Sequence, residues 1–149
     1  MFKNILIATD GSELAEKAVQ QGLALAKDTK ARVTVVRATP VPRMYVAEGV
    51  MITPPVGVQG QVAKVVADQF RDIKQQASTA GVSCETLHVE NDFPWKAILD
   101  AAKEKACDLI VMASHGRTGF SAAFLGSETQ GACTIDCSRS RLPVMRRGK

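Results

Sequence analysis

A chain of 149 residues, 46% apolar and 23% charged, is long enough to bury one core and is read as a single domain over 1–149. No apolar stretch approaches the roughly 18 residues of a membrane span, and residues 1–8 meet Asp10 too early for a secretory leader; no membrane partner and a cytoplasmic location are expected. The formal charge of +4 is local, because Arg139, Arg141, Arg146, Arg147 and Lys149 place +5 in the last eleven residues and leave −1 elsewhere. No aromatic residue interleaves that tail for base stacking, so nucleic acid is not an expected partner.

Residues 5–8, Ile-Leu-Ile-Ala, are a short apolar run ending at Thr9-Asp10-Gly11-Ser12, as a buried parallel strand entering a turn would. From Ser12, the residues Leu14, Ala15, Ala18, Val19, Gly22, Leu23 and Ala26 recur at helical spacing and predict a first helix. A second strand follows at 33–36. Residues 40–60 carry four of the six prolines and predict a long loop, read either as a lid over a site or as a plain surface excursion.

A second helix is predicted over 61–80, facing the core through Val62, Val65, Val66, Phe70 and Ile73, and Gly81 stops it. Residues 82–89 alternate as a more exposed third strand. A third helix starts after Asp92, a candidate cap, with Pro94 in its first turn and Trp95, Ile98, Leu99 and Ala102 on one face. Residues 108–113 form the fourth strand. Such alternation implies an α/β fold, a doubly wound parallel sheet with helices on both faces.

Ligands of such sheets bind at the carboxyl ends of the strands, where the strand order reverses. Two strand exits carry suitable chemistry: Thr9-Asp10-Gly11-Ser12, and Ser114-His115-Gly116-Arg117-Thr118-Gly119 after the fourth strand. Gly116 and Gly119 permit a turn whose N–H groups face inward, and Gly126 allows close backbone approach. Ser127-Glu128-Thr129-Gln130 has capping-box spacing and sets a helix N-terminus behind Gly126, a place for phosphate. Arg117 and His115 are candidate phosphate donors. Glu128 speaks for the alternative, that Ser127 merely caps its own helix, because an acid in the first turn complements the dipole and repels phosphate.

The string "SHGRTG…LGS", with Gly116, nine residues and then Gly126-Ser127, together with "ILIATDGSELAEKA" near the start, resembles the universal stress protein family over residues 2 to 130. The resemblance implies an adenine nucleotide alpha hydrolase-like fold with five parallel strands. It also implies ATP, alone or with Mg2+, as the ligand and a homodimer joined along the last strand. It places Thr9, Asp10, Ala38 and Ala113 with the nucleotide, and gives the phosphates to His115, Gly116, Arg117, Gly119, Gly126, Ser127 and Glu128. Stress-response regulation is the implied role, with at most weak ATP hydrolysis or self-phosphorylation on Ser121 or Ser127.

Two departures stand out. Ala113 replaces the first glycine of the family's motif, and its methyl is expected in a turn that approaches phosphate. If it closes the site, the alternative is a nucleotide-free dimeric interaction protein. After Gln130 the family pattern is lost, so the last strand is atypical, and only residues 142–145 resemble it.

No catalytic residue and no metal site is expected. His88 is read as structural, and Cys133-x3-Cys137 is half a zinc site without partners. Without a secretory leader, the four cysteines are expected to stay reduced. Neither a Walker A string nor Gly-x-Gly-x-x-Gly occurs. A receiver domain would need paired acids after the first strand, where Asp10 stands alone.

Overall fold

The computed structural model describes residues 1–52, 57–113 and 144–147. Ten elements follow in chain order: β1 (Asn4–Ala8), α1 (Glu13–Thr29), β2 (Arg32–Thr39), β3 (Tyr45–Ala47), β4 (Val50–Ile52), α2 (Val58–Ala80), β5 (Cys84–Glu90), α3 (Pro94–Glu104), β6 (Leu109–Ala113) and β7 (Val144–Arg147).

Five strands form one parallel sheet in the order β5-β2-β1-β6-β7, while β3 and β4 make a separate antiparallel pair. Ile5, Leu6 and Ile7 of β1 and Ile110 of β6 have no exposed surface at all, because helices cover both faces of these central strands. Alternate residues serve the two faces. Ile5, Ile7, Val33, Val35, Leu109 and Val111 pack with Val19, Val66 and Phe70 under α1 and α2. Leu6, Val36, Ile110 and Met112 pack with Ile98, Leu99 and Ala102 under α3. The expected doubly wound five-stranded sheet is present, and β7, atypical in sequence, supplies its fifth strand by pairing Val144–Arg147 in parallel with β6.

Local chemistry explains the element ends. The Ser12 side chain caps α1 by accepting from the Ala15 N–H, and Glu13 and Glu16 in the first turn complement the helix dipole. Lys30 closes α1 in the left-handed conformation, φ 55, and its N–H donates to Ala26 and Lys27 carbonyls. Gly81 does the same for α2 at φ 73, without a Cβ penalty.

Several expectations need correction. The segment 40–60 is not all loop: it holds the β3–β4 hairpin, whose two-residue connection Glu48-Gly49 has φ of 52 and 77, the positive pair that a primed turn requires. Helix α2 begins three residues earlier than expected, at Val58. Its early positions Val62 and Val65 are 40% and 57% exposed, and Leu14 of α1 is 46% exposed, while the adjacent Val66 and Ala15 are 3% exposed each, so the helices turn these positions away from the core. Asp92 does not cap α3. The cap position is Phe93, without a side-chain hydrogen bond, and Asp92 instead accepts from the Val41 N–H and pairs with Arg43.

Candidate functional site at the β1–β6 switch point

The crossover after β1 leads to β2 on one side of it, whereas β6 lies on the other, so the carboxyl ends of β1 and β6 flank the point of reversal. They are direct neighbours, with Ala8 paired to Met112. In a doubly wound sheet this is where a crevice forms for a ligand. One side of it is the turn that runs from Thr9 into the cap of α1.

That turn is built by short side chains bonding to backbone. Thr9 is buried, its N–H donates to the Val36 carbonyl at 3.0 Å, and its Oγ1 accepts from the Gly11 N–H at 3.2 Å. The Oδ1 of Asp10 accepts from the Ser12 N–H at 2.9 Å. These are the two-residue reaches that Thr and Asp favour in turns. Gly11 takes φ +79, a conformation that favours glycine, and a Cβ there would stand 2.9 Å from Arg37 Nη1, so a side chain at this position would also displace the guanidinium.

The other oxygen of the Asp10 carboxylate is different. Its Oδ2 is buried and lacks a hydrogen-bond partner among the described residues. A buried carboxylate oxygen with no donor is costly, so such an atom marks a position where a donor from elsewhere would be stabilising.

Ala38 lies near the carboxyl end of β2, half-buried and paired with Val89 of β5. Beside it Thr39 Oγ1 and His88 Nε2 are 2.8 Å apart, a hydrogen bond between β2 and β5. Ala113 is the last residue of β6, in the strand and not in a turn. It is buried with the α1-side core cluster, so its methyl lies among apolar side chains on that face. His115, Gly116, Arg117, Gly119, Gly126, Ser127 and Glu128 lie outside the described residues, as do Ser121, Cys133 and Cys137.

Two residues that the sequence did not single out join the turn. Gln69 of α2 donates from Nε2 to Thr9 Oγ1 at 3.3 Å, and its Oε1 accepts from Arg37 Nη1 at 2.5 Å. Together with Glu16, Asp72 and Gln76 they border a cleft of about 260 Å³ between α1 and α2 that reaches Gly11. No local pattern announces them: Gln69 is one polar residue beside core Phe70 on an amphipathic helix, and Arg37 ends an apolar run. Among the described residues no group of His, Cys, Asp or Glu is arranged to hold a metal ion, and no helix is long and apolar enough to cross a membrane.

A model of the universal stress protein family matches residues 1–132. The chain belongs to the universal stress protein family. Universal stress protein YxiE of Bacillus subtilis is 30% identical over 132 residues, covering 85% of this chain and 88% of its own. Among solved structures, a family member from Burkholderia pseudomallei superposes with a TM-score of 0.75 at 24% identity, covering 99% of this chain and 96% of that one. A universal stress protein in complex with cAMP gives 0.69 at 20% identity, with 99% and 97% covered. One from Arabidopsis thaliana with AMP bound gives 0.62 at 12% identity, with 98% and 92% covered. At these identities the structural likeness shows the fold.

Proposed function

We propose that this universal stress protein is a stress-response regulatory module that binds an adenine nucleotide, ATP foremost, at the carboxyl ends of β1 and β6. The observation that carries the reading is the Oδ2 of Asp10, buried in the turn at the switch point without a partner among the described residues, while its sister oxygen is satisfied by Ser12. A nucleoside brings hydroxyl and amino donors, and one of them would complete that carboxylate. Thr9 and Ala38 border the nucleoside in this reading, and the stretch carrying His115, Gly116, Arg117, Gly119, Gly126, Ser127 and Glu128 holds the phosphates, with or without Mg2+.

Two further facts support it. The family fold accommodates adenine nucleotides in the relatives bound to cAMP and AMP. Ala113, the residue that would separate a nucleotide-binding from a nucleotide-free protein, sends its methyl into the α1-side core, which weakens the case for a site closed by that group. Among the described residues no strand pairs with the outer edge of β7, the last in the sheet order β5-β2-β1-β6-β7, which supports a homodimer joined there.

The test is calorimetric titration of nucleotide-stripped protein with ATP, with and without magnesium. Wild type binds saturably, and Ala113→Gly leaves the affinity within about twofold. Asp10→Ala weakens binding about tenfold or more, as expected for loss of a hydrogen bond to a charged group. Gly126→Val abolishes it by filling the backbone's approach to phosphate. Absence of binding by wild type, with binding restored by Ala113→Gly, would establish the nucleotide-free alternative.

A further inference from the structure

The turn that carries Asp10 is not held by its own bonds alone. Thr9 Oγ1 accepts two donors, the Gly11 N–H at 3.2 Å from within the turn and Gln69 Nε2 at 3.3 Å from α2, sixty residues away in the chain. Gln69 is itself fixed, because its Oε1 takes the 2.5 Å hydrogen bond from Arg37 Nη1 on β2. The Arg37 guanidinium lies so close over Gly11 that a Cβ there would stand 2.9 Å from Nη1 and 3.3 Å from Cζ. The glycine, at φ +79, is therefore held from one side by its own hydrogen bond and from the other by the arginine it packs against.

We propose that Gln69 and Arg37 are positioning residues of the ligand site: a hydrogen-bonded brace from α2 and β2 that fixes the turn 9–11 and thereby sets the Asp10 carboxylate. The brace suits the task. A primary amide can donate through its nitrogen and accept through its oxygen at once, so Gln69 alone can link a hydroxyl to a guanidinium. Each bond is part-buried, where hydrogen-bond networks strengthen and an unmade bond is costly. In the absence of the brace Thr9 Oγ1 keeps only the Gly11 N–H as a donor, and glycine at position 11 gives the turn more backbone freedom than any other residue would. The brace also ties α2 to the site, so that a ligand ordering the Asp10 turn stiffens the contact between α2 and that turn.

The inference rests on the nucleotide reading for its ligand and on the turn's own hydrogen bonds for its geometry, and two measurements separate them. Amide hydrogen exchange is followed at Gly11 and Ser12 in wild type, Gln69→Met, Thr9→Val and the double variant, with Gln76→Met as a control. Gln76 borders the same cleft two helical turns further along α2. Methionine keeps the length and helix preference of glutamine and removes both of its hydrogen bonds.

Gln69→Met is expected to speed Gly11 exchange about fivefold, the worth of one ordinary hydrogen bond, while the amides of Phe70 and Ile73 keep their wild-type rates. Gln76→Met changes neither. In titrations with ATP, Gln69→Met weakens binding by a similar factor, and the Thr9→Val, Gln69→Met pair loses less than the two single variants combined, because both cut one chain.

Unchanged Gly11 exchange in Gln69→Met and in Thr9→Val overturns the brace, whatever the ligand. So does an equal effect from Gln76→Met, which would mean general loosening of α2. If wild type binds no nucleotide, the proposed function fails, and the brace still stands or falls on the Gly11 rate. If Gly11 exchange rises while ATP affinity is untouched, the brace holds the turn without positioning a ligand and the inference is wrong.

Discussion

Cys107, just before β6, shows how one buried group carries a signature that can be read in solution. It is 6% exposed, and burial, with a smaller push from the Asp108 charge, raises its thiol from the ordinary 9.0 to about 11 against the opposing influences of Lys105 and a hydrogen bond with Thr34. The folded chain thus holds the thiol proton more tightly than the unfolded chain. The resulting stability is complete below pH about 9 and is lost as pH rises through about 11. Urea midpoints measured from pH 8 to 11 should fall more steeply for wild type than for Cys107→Ala, and equal slopes would contradict the assignment. Iodoacetamide at pH 8 should label half-buried Cys84 ahead of Cys107, checked by peptide mass spectrometry. At the same scale Asp92 is a lesson in competition: placed like a cap, it is drawn instead to Arg43 and the Val41 N–H, leaving α3 to begin at Phe93 with Pro94 behind it.

Among the elements, the contact of α1 with the sheet depends on Gly22. A Cβ at that position would stand 2.5 Å from Ile7 Cδ1 and 2.9 Å from its Cγ1, and Ile7 is completely buried. The helix can lie this close to β1 only because the side chain is missing. Gly22→Ala gains about 1 kcal/mol of helix propensity and costs about 1–3 kcal/mol in overpacking. The net expected result is a lower Tm. Ile7→Val removes the clashing Cδ1, so the double variant should be more stable than Gly22→Ala alone, and a double variant no better than Gly22→Ala would refute the contact as the cause. At the other end of α1, Lys30 sits at φ 55, a conformation that a side chain resists. Lys30→Gly should raise stability by about 0.5–1 kcal/mol, read from the urea midpoint.

At the scale of the whole molecule, what the sequence discloses depends on how far apart the cooperating residues lie. Central strands covered on both faces read as nearly continuous apolar runs, which is why β1, β2 and β6 are evident at 5–8, 33–36 and 108–113. The β3–β4 hairpin is hidden because three-residue strands are too short to show a period, although Glu48-Gly49 between apolar triplets is a turn signal in retrospect. The exposure of Leu14, Val62 and Val65 was illegible for another reason: helical spacing shows an apolar stripe but not which of its residues take the buried positions, and here Ala15 and Val66 do. In the site, the turn at Thr9-Asp10-Gly11-Ser12 could be read directly, since its hydrogen bonds reach two or three residues. Gln69 and Arg37 could not, because long-range partners of that turn leave no mark in their own neighbourhoods. The central claim, an adenine nucleotide at the β1–β6 switch point, is tested most directly by amide chemical shifts during titration of isotope-labelled protein with ATP. Saturable shifts centred on Asp10, Gly11 and Ser12 and extending to Ala38 are predicted. Shifts confined to the cleft at Asp72 and Gln76, or none that saturate, would contradict the account.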